Sequence, residues 1–350
     1  MNNLFKTVLL ILLFTVCSTA TGQDKVTALI KGTVEDYETG EMLIGASVYF
    51  EGTTIGTTAG LKGDFTLTVS QKGNYELVVS MVGYLPQKLG YYIELGKTYN
   101  LKVKLKQNAI NMAAVEIKGE DQGEWKRDIG IFTRKFLGTM KPASECVIEN
   151  KEYINFINRG DTITASSSKP VVVVNNYLGY RVVCEIISYK YDPVSTYQAY
   201  SFFSRFEEMK PKDDAEKEKW IKNREQTFFG SPVHFLWALR NNRLNEEGFR
   251  VFPQSGSIAN RLFAGNEIKS LDELKYGEQI FEEPAVSFKN VLKIEYKGGD
   301  KSYIEPRYPF FTIDASGIAD NHLPFISYGY WAGWGVANML PRGYLPASLK

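Results

Sequence analysis

Between Val26 and Leu105 apolar and polar residues alternate in short runs. "FTLTV" sets Phe65, Leu67 and Val69 on one side of a strand, and "YNLKVKL" does the same with Tyr99, Leu101, Val103 and Leu105. A period of two marks strands with one buried face. Turn signals at Thr39-Gly40, Gly52, Gly56, Lys62-Gly63, Gly73-Asn74 and Gly96-Lys97 recur at roughly ten-residue intervals, the rhythm of an antiparallel sandwich rather than an α/β domain. A phosphate-cradling loop is the competing reading of so many glycines. Its nearest candidate, "GYYIELGKT" from Gly90 to Thr98, has one residue too many before Gly-Lys-Thr and no helix after it, so the glycines read as turn residues.

Beyond a connector, "QNAINMAAVEIKGEDQGEW", the pattern changes. "CVIEN", "YINFI", "PVVVVNN", "YRVVCEIISYKY" and "YQAYSFFSRF" are rich in β-branched and aromatic residues and predict an antiparallel sheet. Helical signals follow. Asp213 with Glu216 makes a capping box, Asp213–Lys217 and Glu218–Lys222 are favourable i,i+4 pairs, and the charge run reads as a solvated helix face. Gly230 ends that helix, and Ser231 with Pro232 opens a second whose stop signal is near Gly248. A third, short helix is expected from Ser270, capped by Glu273, before strands return in "NVLKIEYKGGDKSYIEP" around a Gly298-Gly299 hairpin.

Composition narrows the class. With 44% hydrophobic and 13% aromatic residues the 350-residue chain can bury real cores, and its length suits two domains. A formal charge of +1, from 41 basic and 40 acidic residues, lacks the basic excess of a nucleic-acid binder. At the N-terminus Lys6 precedes an apolar run from Val8 to Val16 and the small residues Ala20, Thr21 and Gly22 follow, the layout of a secretory signal peptide cleaved after Gly22. Val16 before Cys17 argues against lipidation there. No later run is long enough to span a membrane, so the mature chain is expected to carry no transmembrane segment and to be soluble or peripheral to the outer membrane. An oxidising compartment permits a Cys146–Cys184 bridge, but both cysteines lie in apolar strand-like runs where a buried free thiol is equally natural.

The stretch "IKGTVEDYETGEMLIGASVYFEGTTIGTTAGLKGDFTLTV", followed by "YELVVSMVGYLPQ", resembles the carboxypeptidase-regulatory-like domain. Gly32, Val34, Gly40, Gly45, Ala46, Gly52, Phe65, Gly83 and Tyr84 are among the matching positions. The resemblance implies a seven-stranded transthyretin-like β-sandwich that performs no hydrolysis itself, of the kind found on TonB-dependent outer-membrane receptors and other exported Bacteroidota proteins. "NNYLGYRV", "FFGSPVHFLWAL", "LNEEGFRV" and "GYWAGWGVANMLPRGY" are similar to a second, exported Bacteroidota family in which such a sandwich precedes a domain of unknown function. The expected organisation is a signal peptide over 1–22, a sandwich over 23–106, a connector over 107–124 and an α+β domain over 125–350, with an antiparallel sheet and two or three helices; the fold class is mainly β.

Catalytic signatures are absent. Zinc peptidase chemistry needs clustered His and Glu ligands, whereas the chain has only His234 and His322, and Trp237 stands where HxxE would place its glutamate. No GxSxG elbow exists. No cofactor and no metal site are expected. His234 and Arg240 are the candidates for a polar pocket on the second helix, and Tyr328, Tyr330, Trp331 and Trp334 in "PFISYGYWAGWG" are the candidates for an aromatic binding surface, set against the plainer reading of both groups as packing residues. The adjacent acids Glu246-Glu247 and Glu282-Glu283 point apart in most backbones, which disfavours a glycosidase pair. The leading expectation is a non-enzymatic protein of the periplasm or outer-membrane-associated envelope that binds a protein or glycan and not nucleic acid. The alternatives are an envelope hydrolase acting on glycan or peptide, and an accessory subunit of an outer-membrane transport or surface-assembly complex.

Overall fold

The computed structural model describes residues 26–108, 122–195, 197–256, 262–277, 283–320 and 324–349. The expected signal peptide, Cys17, His322 and most of the expected connector fall outside them. The first 83 of these residues build seven strands: β1 (Ala28–Asp36), β2 (Ser47–Phe50), β3 (Gly56–Thr58), β4 (Asp64–Val69), β5 (Gly73–Ser80), β6 (Gln87–Ile93) and β7 (Thr98–Leu105). They form two sheets, β4-β1-β7 and β3-β2-β5-β6. β4 keeps the alternation read from the sequence, with Phe65, Leu67 and Val69 buried between exposed neighbours, and Val103 and Leu105 of β7 share that core with Ile30, Val48 and Leu77. One pairing departs from the all-antiparallel expectation. β1 and β7 run parallel, from Leu29↔Thr98 to Asp36↔Leu105, because the intervening strands form the long crossover that a parallel pair needs. Gly32 is required where these strands meet, since a Cβ there would lie 2.3 Å from the Leu101 carbonyl oxygen.

The next sheet contains β8 (Cys146–Ile148), β9 (Ile154–Arg159), β10 (Thr162–Ser167), β11 (Val171–Asn175), β12 (Tyr180–Tyr191) and β13 (Gln198–Glu208). Its order is β8-β11-β12-β10-β9, with β13 on the other side of β12. A helix the sequence reading did not foresee, α1 (Gln122–Leu137), covers it. Ile129, Phe132 and Phe136 enter the core, where Phe132 meets the ring of Tyr189 at 4.8 Å. Trp125, Ile129, Phe132 and Phe136 fall at helical spacing, so the signal was present but adjoined a segment taken as connector.

The remaining residues add α2 (Asp214–Phe228), α3 (Pro232–Arg240), and the strands β14 (Phe249–Gly256), β15 (Leu262–Ala264), β16 (Ala285–Val286), β17 (Val291–Tyr296), β18 (Asp300–Pro306), β19 (Phe311–Thr312) and β20 (Phe325–Gly329). β15-β14-β17-β18-β20 make an antiparallel sheet, and β16 pairs with β19. The expected caps form: Asp213 accepts the Glu216 N–H at 2.8 Å, Ser231 accepts the His234 N–H at 2.9 Å, and Gly230 takes the left-handed conformation between the two helices. The element expected from Ser270 is a single 3₁₀ turn, Leu271–Glu273, with its capping box present. The fold is mainly β, with three α-helices among the described residues.

Candidate functional site

His234 is held by the turn that starts α3. Its ring is fully buried among Phe228, Phe229, Phe249 and Tyr296. The Gly230 N–H donates to Nδ1 at 3.0 Å, so Nε2 carries the proton and faces Glu247 Oε2 at 3.1 Å. Burial lowers the imidazole pKa to about 4, and the Glu247 carboxylate opposes the shift without cancelling it. Glu247 also pairs with Arg243 at 2.8 Å. His234 is therefore a neutral strut with both ring nitrogens occupied. Arg240 has other partners: its Nε donates to the Ile313 carbonyl at 3.0 Å and Nη2 pairs with Glu283. The structure does not bring these two side chains together.

The aromatic candidates divide in the same way. Trp331 is buried, its indole N–H donates to the Gly230 carbonyl at 2.8 Å, and its own backbone N–H reaches Ser302 Oγ. Tyr328 donates its hydroxyl to Glu305 at 2.9 Å. Trp334 is half-buried beside the same core, and Tyr330 alone of the four is exposed. The glycines between them serve backbone packing. A Cβ on Gly335 would lie 2.5 Å from the Gly138 nitrogen at the end of α1, and one on Gly329 2.5 Å from the Lys301 carbonyl oxygen.

These contacts belong to a chain of joints that links the segments singled out in the sequence. In the β11–β12 turn, Asn175 donates to the Ala337 carbonyl at 2.9 Å and accepts the Leu178 N–H. α2 clasps the same turn. Trp220 donates to the Asn176 carbonyl, Asn223 to that of Tyr177, and Arg224 to that of Leu178 while lying over the Tyr180 ring. "NNYLGYRV", "FFGSPVHFLWAL" and the terminal aromatic stretch are thus assembly points between sheets.

Cys146 and Cys184 are free; burial pushes the Cys146 thiol up to about 12 and the Cys184 thiol higher still. Register explains why they do not pair. Cys146 lies opposite Asn175, whose partner on β12 is Tyr180, four residues short of Cys184, so the two are separated by two strand spacings and about 13 Å along the strand. Glu246 and Glu247 do not point apart as the sequence suggested: both carboxylates reach Arg243, at 3.0 and 2.8 Å, Glu246 from an exposed position and Glu247 while also facing His234. No group of three metal-ligating side chains occurs among these residues.

The two ends of the sandwich differ sharply. At one end the β2–β3 loop meets the rest of the chain: the Gly52 N–H donates to the Ser204 carbonyl at 2.7 Å, the Phe206 N–H to Thr53, and the Arg342 N–H to Gly52. Glu51 accepts both the N–H and the hydroxyl of Ser204, at 3.0 and 3.1 Å. These bonds also cover part of the outer edge of β13, which would otherwise be open to pairing. At the other end, β1, β3, β5 and β7 finish and β2, β4 and β6 begin. Their loops expose Tyr37, Met42, Ile44, Leu61, Val82 and Leu85, with Leu61 84% accessible. Sequence reading passed over this cluster because its members come from three separate loops. Their common position emerges only from strand order.

Seven strands in two sheets, closed by pairing the first strand with the last, define the first part of the molecule as a small β-sandwich. Residues 30–117 match the family model described as CarboxypepD_reg-like domain, and the sandwich is such a domain. A 60-residue stretch is 48% identical to the TonB-dependent receptor SusC of Bacteroides thetaiotaomicron, covering 17% of this chain and 6% of the receptor. The chain thus spans a small fraction of that relative. Among solved structures, the pilus 2b backbone protein of group B streptococcus is 18% identical over 24% of this chain and 43% of its own, with a TM-score of 0.21. A cohesin–X-dockerin complex from Acetivibrio cellulolyticus is 15% identical over 29% of this chain and 73% of its own, with a TM-score of 0.22. Likenesses this slight carry no functional weight.

Proposed function

We propose that this chain is an exported, non-catalytic binding protein of the bacterial cell envelope, and that the free loop end of its sandwich holds a protein of an outer-membrane transport assembly. The observation that carries the reading is the apolar cluster of Tyr37, Met42, Ile44, Leu61, Val82 and Leu85, left uncovered while the other end of the sandwich is docked. Exposed apolar side chains gathered at one end of a domain are the kind of surface that marks interaction sites. Similarity of a 60-residue stretch of the chain to a TonB-dependent receptor supports a transport context. The domain limits proposed are 1–22 for the signal peptide, 23–106 for the sandwich, 107–124 for the connector and 125–350 for the remainder.

The test is a photocrosslinking amino acid at position 61 of the full chain, expressed in a Bacteroidota host, with adducts identified by mass spectrometry. An outer-membrane transport protein is expected, and its yield should fall at least fivefold when Ile44 and Val82 are changed to Asp. Absence of any adduct, with the protein monomeric in every envelope fraction, overturns the reading.

A further inference from the structure

A groove of about 320 Å³ runs between α1 and the segment that follows it. Lys126, Gly130 and Arg134 line it along one helix face, Lys151 faces them from the far side, and Leu137 and Ala143 supply an apolar end. None of the three cations forms an ion pair among the described residues, and no carboxylate lines the groove. The helix dipole accounts for Arg134 in the last turn. It does not account for Lys126, near the opposite end, or for Lys151, which belongs to another segment.

Gly130 is the second observation. Glycine within a helix costs stability relative to alanine, and some glycines of this protein, unlike Gly90, Gly123 and Gly130, have a visible packing or backbone reason to be there. Gly179 has Trp220 ring atoms 2.2 Å from where its Cβ would stand, whereas a Cβ on Gly130 meets nothing within 4 Å. Packing does not require this glycine. Its effect is to leave the helix backbone bare at the middle of a groove whose flanking cations, Lys126 and Arg134, are about 12 Å apart along the axis.

We infer that this groove binds a phosphorylated amphiphile, with the phosphate ester held among Arg134, Lys151 and Lys126 and a short apolar chain lying over Gly130 and Leu137. Several N–H donors from separate side chains suit the multiple oxygens of a phosphate. The proposal is independent of the sandwich and its partner.

Calorimetric titration of the full mature chain with octyl phosphate tests it, alongside inorganic phosphate and vesicles of phosphatidylcholine with and without phosphatidylglycerol. Saturable binding of octyl phosphate is expected, weakening with added salt and at least tenfold tighter than that of inorganic phosphate. Association with the anionic vesicles would identify the source as a lipid headgroup, and octyl phosphate binding without it a free ligand. R134A with K151A should weaken binding at least tenfold. Gly130→Ala should weaken it too while raising the melting temperature by about 2 °C, which separates loss of a site from loss of folding. Absence of octyl phosphate binding at low salt, equal affinity for inorganic phosphate, or binding unchanged in Gly130→Ala overturns the assignment.

Discussion

Burial at His234 makes the protein's stability depend on pH in a defined direction. The folded state keeps the ring neutral, with a pKa lowered to about 4, while the unfolded chain titrates near the ordinary imidazole value of about 6.5. Below about 6.5 the unfolded state binds a proton that the folded state refuses, so stability is full above that pH and is lost as pH falls toward 4. Between pH 7 and 5 the loss should be on the order of 2 kcal/mol. Urea denaturation at the two pH values checks this. His234→Gln should be less stable at pH 7 but should lack most of this dependence, and a variant that keeps the full slope would show that another group is responsible. The caps of α2 and α3 are legible in the sequence because Asp213, Glu216, Ser231 and Pro232 act within a few residues of their targets. The partners of Trp331 and His234 are not. Gly230 lies 101 residues from Trp331, and Glu247 reaches His234 across a helix end.

At the scale of elements, the β11–β12 turn is where a helix and two sheets are fastened. Gly179 has φ of +72° and the Trp220 ring pressed against it, so Gly179→Ala combines backbone strain with overpacking and should cost roughly 3 kcal/mol. Chemical denaturation measures this, and removing the indole in a Gly179→Ala/Trp220→Ala pair should recover part of the overpacking cost relative to the sum of the single changes. Additive costs would mean that the ring does not set the penalty. Strands rich in β-branched and aromatic residues were readable, since "PVVVVNN" and "YRVVCEIISYKY" have no other comfortable state, whereas the more polar β10 and the strands β14, β15, β16 and β19 were not. Sheet membership was not readable either, because the order β8-β11-β12-β10-β9 follows from contacts distant in sequence. α1 was missed for a related reason: its apolar stripe is clear, but little in the preceding residues announces a helix start.

For the whole molecule, the bond between Glu51 and Ser204 couples the sandwich to the rest of the chain. Glu51→Ala leaves a buried N–H and hydroxyl of Ser204 without that acceptor, at a cost of about 1–3 kcal/mol. The expected result is loss of coincidence between two probes. All five tryptophans lie beyond the sandwich, so their fluorescence reports unfolding of that region alone, whereas far-ultraviolet dichroism reports both parts. Coincident transitions in the wild type should separate in Glu51→Ala, and curves that stay superimposed would show that the joint does not transmit stability.

The parallel pairing of β1 with β7 has a mechanical side. The sandwich is entered through β1 at its docked end and left through β7 at its loop end. Tension applied between those two points loads the rungs from Leu29↔Thr98 to Asp36↔Leu105 together, in shear, instead of peeling them apart one at a time. A module wired in this way holds its shape under pull until the whole ladder yields at once.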